Sequence, residues 1–118
     1  MKQGKLTNEQ LNQIVLSHLH KRRSETAIGP AVGEDCAVMH WDADLLVMTT
    51  DPITAAAEGA GSLAVDVCCN DIASAGAEPV ALLLTLLVPP SAEVSDIEAV
   101  VCDAERAANA VGADIVSP

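Results

Sequence analysis

The chain has 118 residues, half of them apolar, with a single Trp, no Phe or Tyr, and a formal net charge of −11. That length supports one domain, 1–118, with a core built from Ala, Val, Leu and Ile, and falls well short of a two-domain enzyme. The acidic balance argues against binding a nucleic-acid backbone and suits carboxylates that gather divalent cations, although Glu93, Asp96, Glu98, Asp103 and Glu105 are read simply as solubilising surface charge.

The opening residues MKQGKLTNEQ contain no apolar run of the signal-peptide type. Thr7 and Gln10 form a capping-box pattern, and Leu11, Ile14, Val15 and Leu19 recur at helical spacing, so a first helix is expected over 8–20. The basic cluster Lys21, Arg22 and Arg23 would compensate its negative end. From Ser24 to Asp35 the pattern turns irregular, punctuated by Gly29, Pro30 and Gly33. Two short apolar runs, 36–41 and 45–50, joined by Asp42, Ala43 and Asp44, then predict an antiparallel hairpin. In such a hairpin the start of one strand lies beside the end of the next, which would make neighbours of Asp35 and Asp51.

After Pro52 the segment ITAAAEGAG leads into GSLAVDVCCNDIASAG, residues 61–76. Small and aliphatic residues cover nearly the whole circumference of this predicted helix, yet Asn70 and Asp71 sit within it. A buried carboxylate needs a cation, a set of donors or an exit to solvent. The alternative places Asp71 on a solvated stripe with Asp66, Asn70 and Ser74. Gly76 and Pro79 end the helix. Residues 80–88 predict a strand apolar on both faces and therefore covered on both, too short to cross a bilayer as a helix. Pro89 and Pro90 break it, Ser91 is expected to cap a helix with an apolar seam of Val94, Ile97, Val101, Ala104, Ala108 and Val111, and Gly112 ends that helix before a last strand, 113–116.

The resulting fold class is α/β (α+β), with helices packed on one face of a mixed or antiparallel four-stranded sheet. Cys36, Cys68, Cys69 and Cys102 form no CxxC pair and read as small core residues in a reducing compartment, which together with the absent leader and span predicts a cytoplasmic protein. Three acids, Asp35, Asp51 and Asp71, with the hydroxyls of Thr49 and Thr50, form an all-oxygen donor set of the kind hard divalent cations take, and magnesium commonly shares such ligands with substrate phosphates.

At the same residues GEDCAV, LVMTTDPI, LAVDVCCNDIASAGAEPVALLLTLLVPP and AANAVGADIV, the chain resembles the N-terminal domain of the aminoimidazole ribonucleotide synthetase-related superfamily. That group includes the purine enzyme itself, selenophosphate synthetase, thiamine-monophosphate kinase and the hydrogenase maturation factor HypE. The opening GKLTNEQLNQIVLSHL with IGPAVGEDCAV is most similar to the HypE-like branch. The resemblance implies ATP and Mg2+ bound near a homodimer interface in which two sheets pair into a barrel. It implies magnesium-site roles for Asp35, Asp51 and Asp71, added ligands in Thr49 and Thr50, and Asn70 beside them at the nucleotide. For the HypE branch it implies ATP-dependent dehydration of a carbamoylated terminal cysteine toward the cyanide of a nickel-iron centre, with other hydrogenase maturation proteins as partners. Members of the group continue into a glycine-rich segment and a C-terminal domain, whereas these residues end ADIVSP. A fragment or truncated product lacking a complete active site is therefore expected. A kinase or synthetase of the same superfamily and a catalytically silent dimerisation module are the competing readings.

Overall fold

In the computed structural model, which describes residues 5–54 and 58–117, the chain divides into two units, Met1–Thr49 and Thr50–Pro118. Lys2, Pro118 and residues 55–57 of the connection into the central helix lie outside the described residues.

The first unit opens with the expected capping box. The Gln10 amide donates to the Thr7 hydroxyl at 3.2 Å and the Thr7 amide to the Gln10 side chain at 3.1 Å. Only α1, Asn8–Gln10, is regular α-helix, because the backbone widens to a π turn over Leu11–Val15 and tightens to a 3-10 turn over Leu16–His18. The Ser17 hydroxyl donates back to the Gln13 carbonyl at 2.8 Å, a contact that competes with the regular ladder. Leu19 is already extended, so the helix ends short of the expected 8–20 and only His18 stands in its last turn. The Lys21 to Arg23 cluster therefore does not compensate that terminus, and Arg23 instead pairs with Glu25.

Three strands follow in one antiparallel sheet of order β1-β2-β3: β1, Thr26–Ile28; β2, Ala37–Trp41; and β3, Asp44–Met48. The predicted hairpin is present, its register running from Ala37 opposite Met48 to Trp41 opposite Asp44. Asp44 belongs to the strand and the turn needs only Asp42 and Ala43, since Asp42 takes a left-handed conformation (φ 52°) that a short polar side chain tolerates. The strand β1 lies in the stretch read as irregular. It is three residues long with a register shift between Thr26 and Ile28, too short to carry an alternating pattern.

The second unit contains α2, Ala60–Ser74; β4, Ala81–Leu83; α3, Val94–Val111; and β5, Asp114–Ser117. The strands β4 and β5 pair in parallel, as a strand–helix–strand crossover requires, and form a sheet of their own. The single four-stranded sheet expected from the sequence is thus replaced by a three-stranded antiparallel sheet and a two-stranded parallel one. The run 80–88 pairs over only three residues, extended at its ends by Asp114 N–H to the Val80 carbonyl and Leu84 N–H to the Ser117 carbonyl. It is not covered on both faces, since Leu83 and Leu87 are 79% and 94% exposed.

Packing in this unit is dominated by small residues. The core joins Val65 and Cys69 of α2 to Ala104 of α3, with Leu82, Leu84, Ala107 and Ile115 against them. A Cβ on Gly61 would overlap the Val100 carbonyl oxygen and stand 2.7 Å from the Ala104 nitrogen, so the two helices meet backbone to backbone there. α2 is not buried around its circumference. It hides one stripe, Gly61, Val65 and Cys69, and leaves Leu63 and Asp66 exposed. On α3 the buried seam runs through Ile97, Val100, Ala104, Ala107 and Ala108, leaving Val94, Val101 and Val111 outside. Its N-cap is Glu93 rather than Ser91, which lies in the turn after Pro90, and the Asp96 carboxylate accepts from the Glu93 amide at 2.9 Å. Gly112 ends the helix in the left-handed conformation that glycine adopts without strain.

The N-cap of α2 is Gly59, which has no side chain to offer. Asp103 of α3 takes that role, accepting from the Ser62 amide at 2.7 Å and from the Arg106 guanidinium at 3.1 Å. The Ser62 hydrogen bonds, reinforced by Arg106, hold the Asp103 carboxyl below its ordinary range. A carboxylate lowered in the folded state contributes stability that is complete above its unfolded pKa of about 3.9 and is lost as pH falls through the folded value. The melting-temperature gap between wild type and Asp103→Ala should therefore be full at neutral pH and narrow below about pH 4. A gap constant down to the acid limit would contradict that linkage.

Candidate functional site

In the first unit Asp35 stands just before β2 and Thr49 just after β3. The Thr49 hydroxyl donates to the Asp35 main-chain oxygen at 3.0 Å, which joins the two ends of the hairpin where antiparallel pairing puts them. Asp35 is exposed and Thr49 half-buried.

The remaining candidates belong to the second unit. Thr50 and Asp51 are exposed and precede Pro52. Asn70 and Asp71 lie in the last turns of α2, Asn70 exposed and Asp71 half-buried. The Asp71 main-chain oxygen accepts from the Ser74 hydroxyl at 2.8 Å and the Ala75 amide at 3.2 Å, so the helix end is closed locally. Asp66, Asn70 and Ser74 form the exposed stripe, and Asp71 stands at its edge between solvent and packed surface.

Chemically, Asp35, Thr49, Thr50, Asp51 and Asp71 offer only oxygen donors, three of them carboxylates. That is the donor type of magnesium, which binds one or two carboxylates and completes its shell with water and phosphate oxygens. Among the described residues no group of three or more His, Cys, Asp or Glu side chains gathers around a point where a metal ion could be held. No disulfide joins the cysteines. Cys69 is buried, and burial, with Cys68 and Asp66 nearby, pushes its thiol up and away from nucleophilic chemistry. Cys102 is exposed and so is not the core residue the sequence predicts.

Of the acids that sequence reasoning assigns to surface charge, Glu93 and Asp96 cap α3 itself, and Asp103 reaches across to cap α2. The sequence carries only a faint signal for the latter: Gly59 and Gly61 flank the helix start and bring no side-chain acceptor to its first amides.

Residues 33–117 match the family model of the AIR synthase related protein N-terminal domain, and the chain belongs to that family. It is also similar to a protein of Methanocaldococcus jannaschii named "Putative hydrogenase expression/formation protein", 31% identical over 103 residues, which cover 83% of this chain and 31% of that protein. The chain thus spans about a third of the length of this curated relative. No solved structure gives a significant match. Among the described residues no helix is long and apolar enough to cross a membrane.

Proposed function

We propose that this chain is the magnesium- and ATP-binding N-terminal part of a HypE-like, cytoplasmic hydrogenase maturation protein, whose full-length reaction dehydrates a carbamoyl group to the precursor of a cyanide ligand. Membership of the AIR synthase related family is the observation that carries this reading, and the name of the archaeal relative points to the hydrogenase branch. Asp35, Asp51 and Asp71 would hold magnesium with Thr49 and Thr50, and Asn70 would face the nucleotide. Bound magnesium would neutralise charge on the phosphates, and this chain's part is to position those oxygens. The Thr49 hydroxyl on the Asp35 main-chain oxygen supports grouping these two residues, because it fixes the two hairpin ends that carry them.

A second reading, a dimerisation module, draws on the exposure of Leu83, Leu87 and Val116 beside a sheet of only two strands. Such edges and apolar surfaces are where another copy would pair. In the first reading the same surface serves the homodimer, so the ligand decides between them. Calorimetric titration with ATP should give saturable heat in the presence of magnesium and little without it. No magnesium-dependent binding would remove the first reading and leave the second. Turnover by these 118 residues should stay well under about one per second, because phosphoryl transfer needs a complete shell around the transferred group.

A further inference from the structure

The first turn of α2 is fixed more tightly than a core of small residues alone would fix it. Gly61 touches the α3 backbone directly, leaving no side-chain layer to absorb movement. One turn along α3 from Val100, the Asp103 carboxylate spends one oxygen on the Ser62 amide at 2.7 Å and the other on Arg106 at 3.1 Å. The Ser62 hydroxyl and the Leu63 amide both close onto the Gly59 carbonyl, at 3.1 Å and 3.0 Å. Every polar group of that turn named here is tied to α3 or to the helix start.

We propose that Asp103 is a positioning residue that pins the N-terminal end of α2 on α3 and thereby sets where the far end of α2, with Asn70 and Asp71, stands. Its bearing on ligand binding rests on the assignment of Asp71 above; the pin itself does not. Asp71 lies nine residues beyond Ser62, roughly 13 Å along the axis at about 1.5 Å per residue. A tilt of only ~5° about the pinned turn carries Asp71 sideways by ~1 Å, a displacement sufficient to weaken a charged contact with a geometrically demanding cation. The helix is stiff over this length, so a contact at one end is felt at the other.

The test compares wild type, Asp103→Asn, which keeps an acceptor oxygen without the charge, and Asp103→Ala, which keeps neither. Amide exchange at Ser62 should quicken about tenfold or more in Asp103→Ala and less in Asp103→Asn. Residual dipolar couplings should show the α2 axis turned by several degrees relative to α3 in Asp103→Ala, both helices keeping their length. Magnesium-dependent ATP affinity should fall about tenfold in Asp103→Ala, with Asp103→Asn between. Unchanged Ser62 exchange, or an unchanged axis, overturns the pin. A turned axis with unchanged affinity overturns its positioning role. If Asp103→Ala does not fold, Asp103→Asn carries the same comparison, and wild-type exchange and affinity in that variant overturn the proposal. Wild type that binds no magnesium and ATP overturns the functional reading instead, while the exchange and coupling measurements still decide the pin.

Discussion

Gly61→Ala should lower the melting temperature by about ten degrees, and Gly61→Val should prevent the second unit from folding. Helix propensity alone predicts the opposite, since Ala in place of Gly within a helix is worth about 0.5 to 1 kcal/mol. The added Cβ, however, meets main-chain atoms of Val100 and Ala104 rather than the flexible end of a side chain. Relief requires the helices to separate, which strips contacts from Val65, Cys69 and Ala104 as well. Overpacking of this kind costs about 1 to 3 kcal/mol or more, so the clash outweighs propensity, and each kcal/mol is worth about 4 to 8 °C in a domain of this size. Gly76→Ala is the control. Gly76, unlike Gly61, is left-handed (φ 78°), and nothing lies within 4 Å of an added Cβ, so only the backbone penalty of about 1 to 2 kcal/mol applies. A Gly61→Ala protein that melts at or above wild type would show that α2 and α3 do not meet at their backbones.

Asp71→Asn should weaken magnesium-dependent ATP binding tenfold or more while leaving the fold intact. The substitution keeps the shape and removes the charge, and a hydrogen bond or ligand contact to a charged group is worth roughly 1.5 to 3 kcal/mol, each 1.4 kcal/mol being tenfold. Asp71 is half-buried at the end of α2, outside the core cluster, so its loss opens no cavity. Melting wild type and Asp71→Asn with and without magnesium and ATP separates the two views of this residue. A ligand predicts a smaller stabilising shift in the variant. An acid that merely joins the exposed stripe of Asp66, Asn70 and Ser74 predicts equal shifts.

The parts of the fold legible in the sequence are those whose signal is local. The capping box at Thr7, the hairpin around Asp42, the stop at Gly112 and the extent of α2 depend on a handful of consecutive residues, and each is present. What the sequence misplaced depends on partners far along the chain. The apolar run after Pro79 gives no indication that it pairs for only three residues, because its partner strand lies more than thirty residues further along the chain. Helical spacing places Val101 in the α3 seam, but Val100 occupies it, since the near approach of Gly61 decides which side of α3 is turned inward. For the candidate site, hairpin geometry brings the two ends of β2 and β3 together, as the Thr49 hydroxyl on the Asp35 main-chain oxygen shows, but the contact falls on Thr49 rather than on the expected neighbour, Asp51. Asp71 is harder to read because a helix of small residues looks buried on every side when only one stripe is.

The parallel pairing of β4 with β5 also determines the order in which the second unit can assemble. Ala81 and Asp114 come together across roughly thirty residues, whereas β2 and β3 meet across a two-residue turn. The entropy of closing the longer loop exceeds that of the shorter by about 2 kcal/mol, and a parallel ladder of three residues returns little of it. The strands cannot hold one another before α3 has shortened the gap between them. Helix and crossover must therefore condense together, with α2 joining through Ala104 and Asp103 of that same helix. Loosening the buried side of α3 would remove a packing partner of both β5 and α2, while the hairpin of the first unit, closed by near neighbours, forms on the microsecond timescale of hairpins.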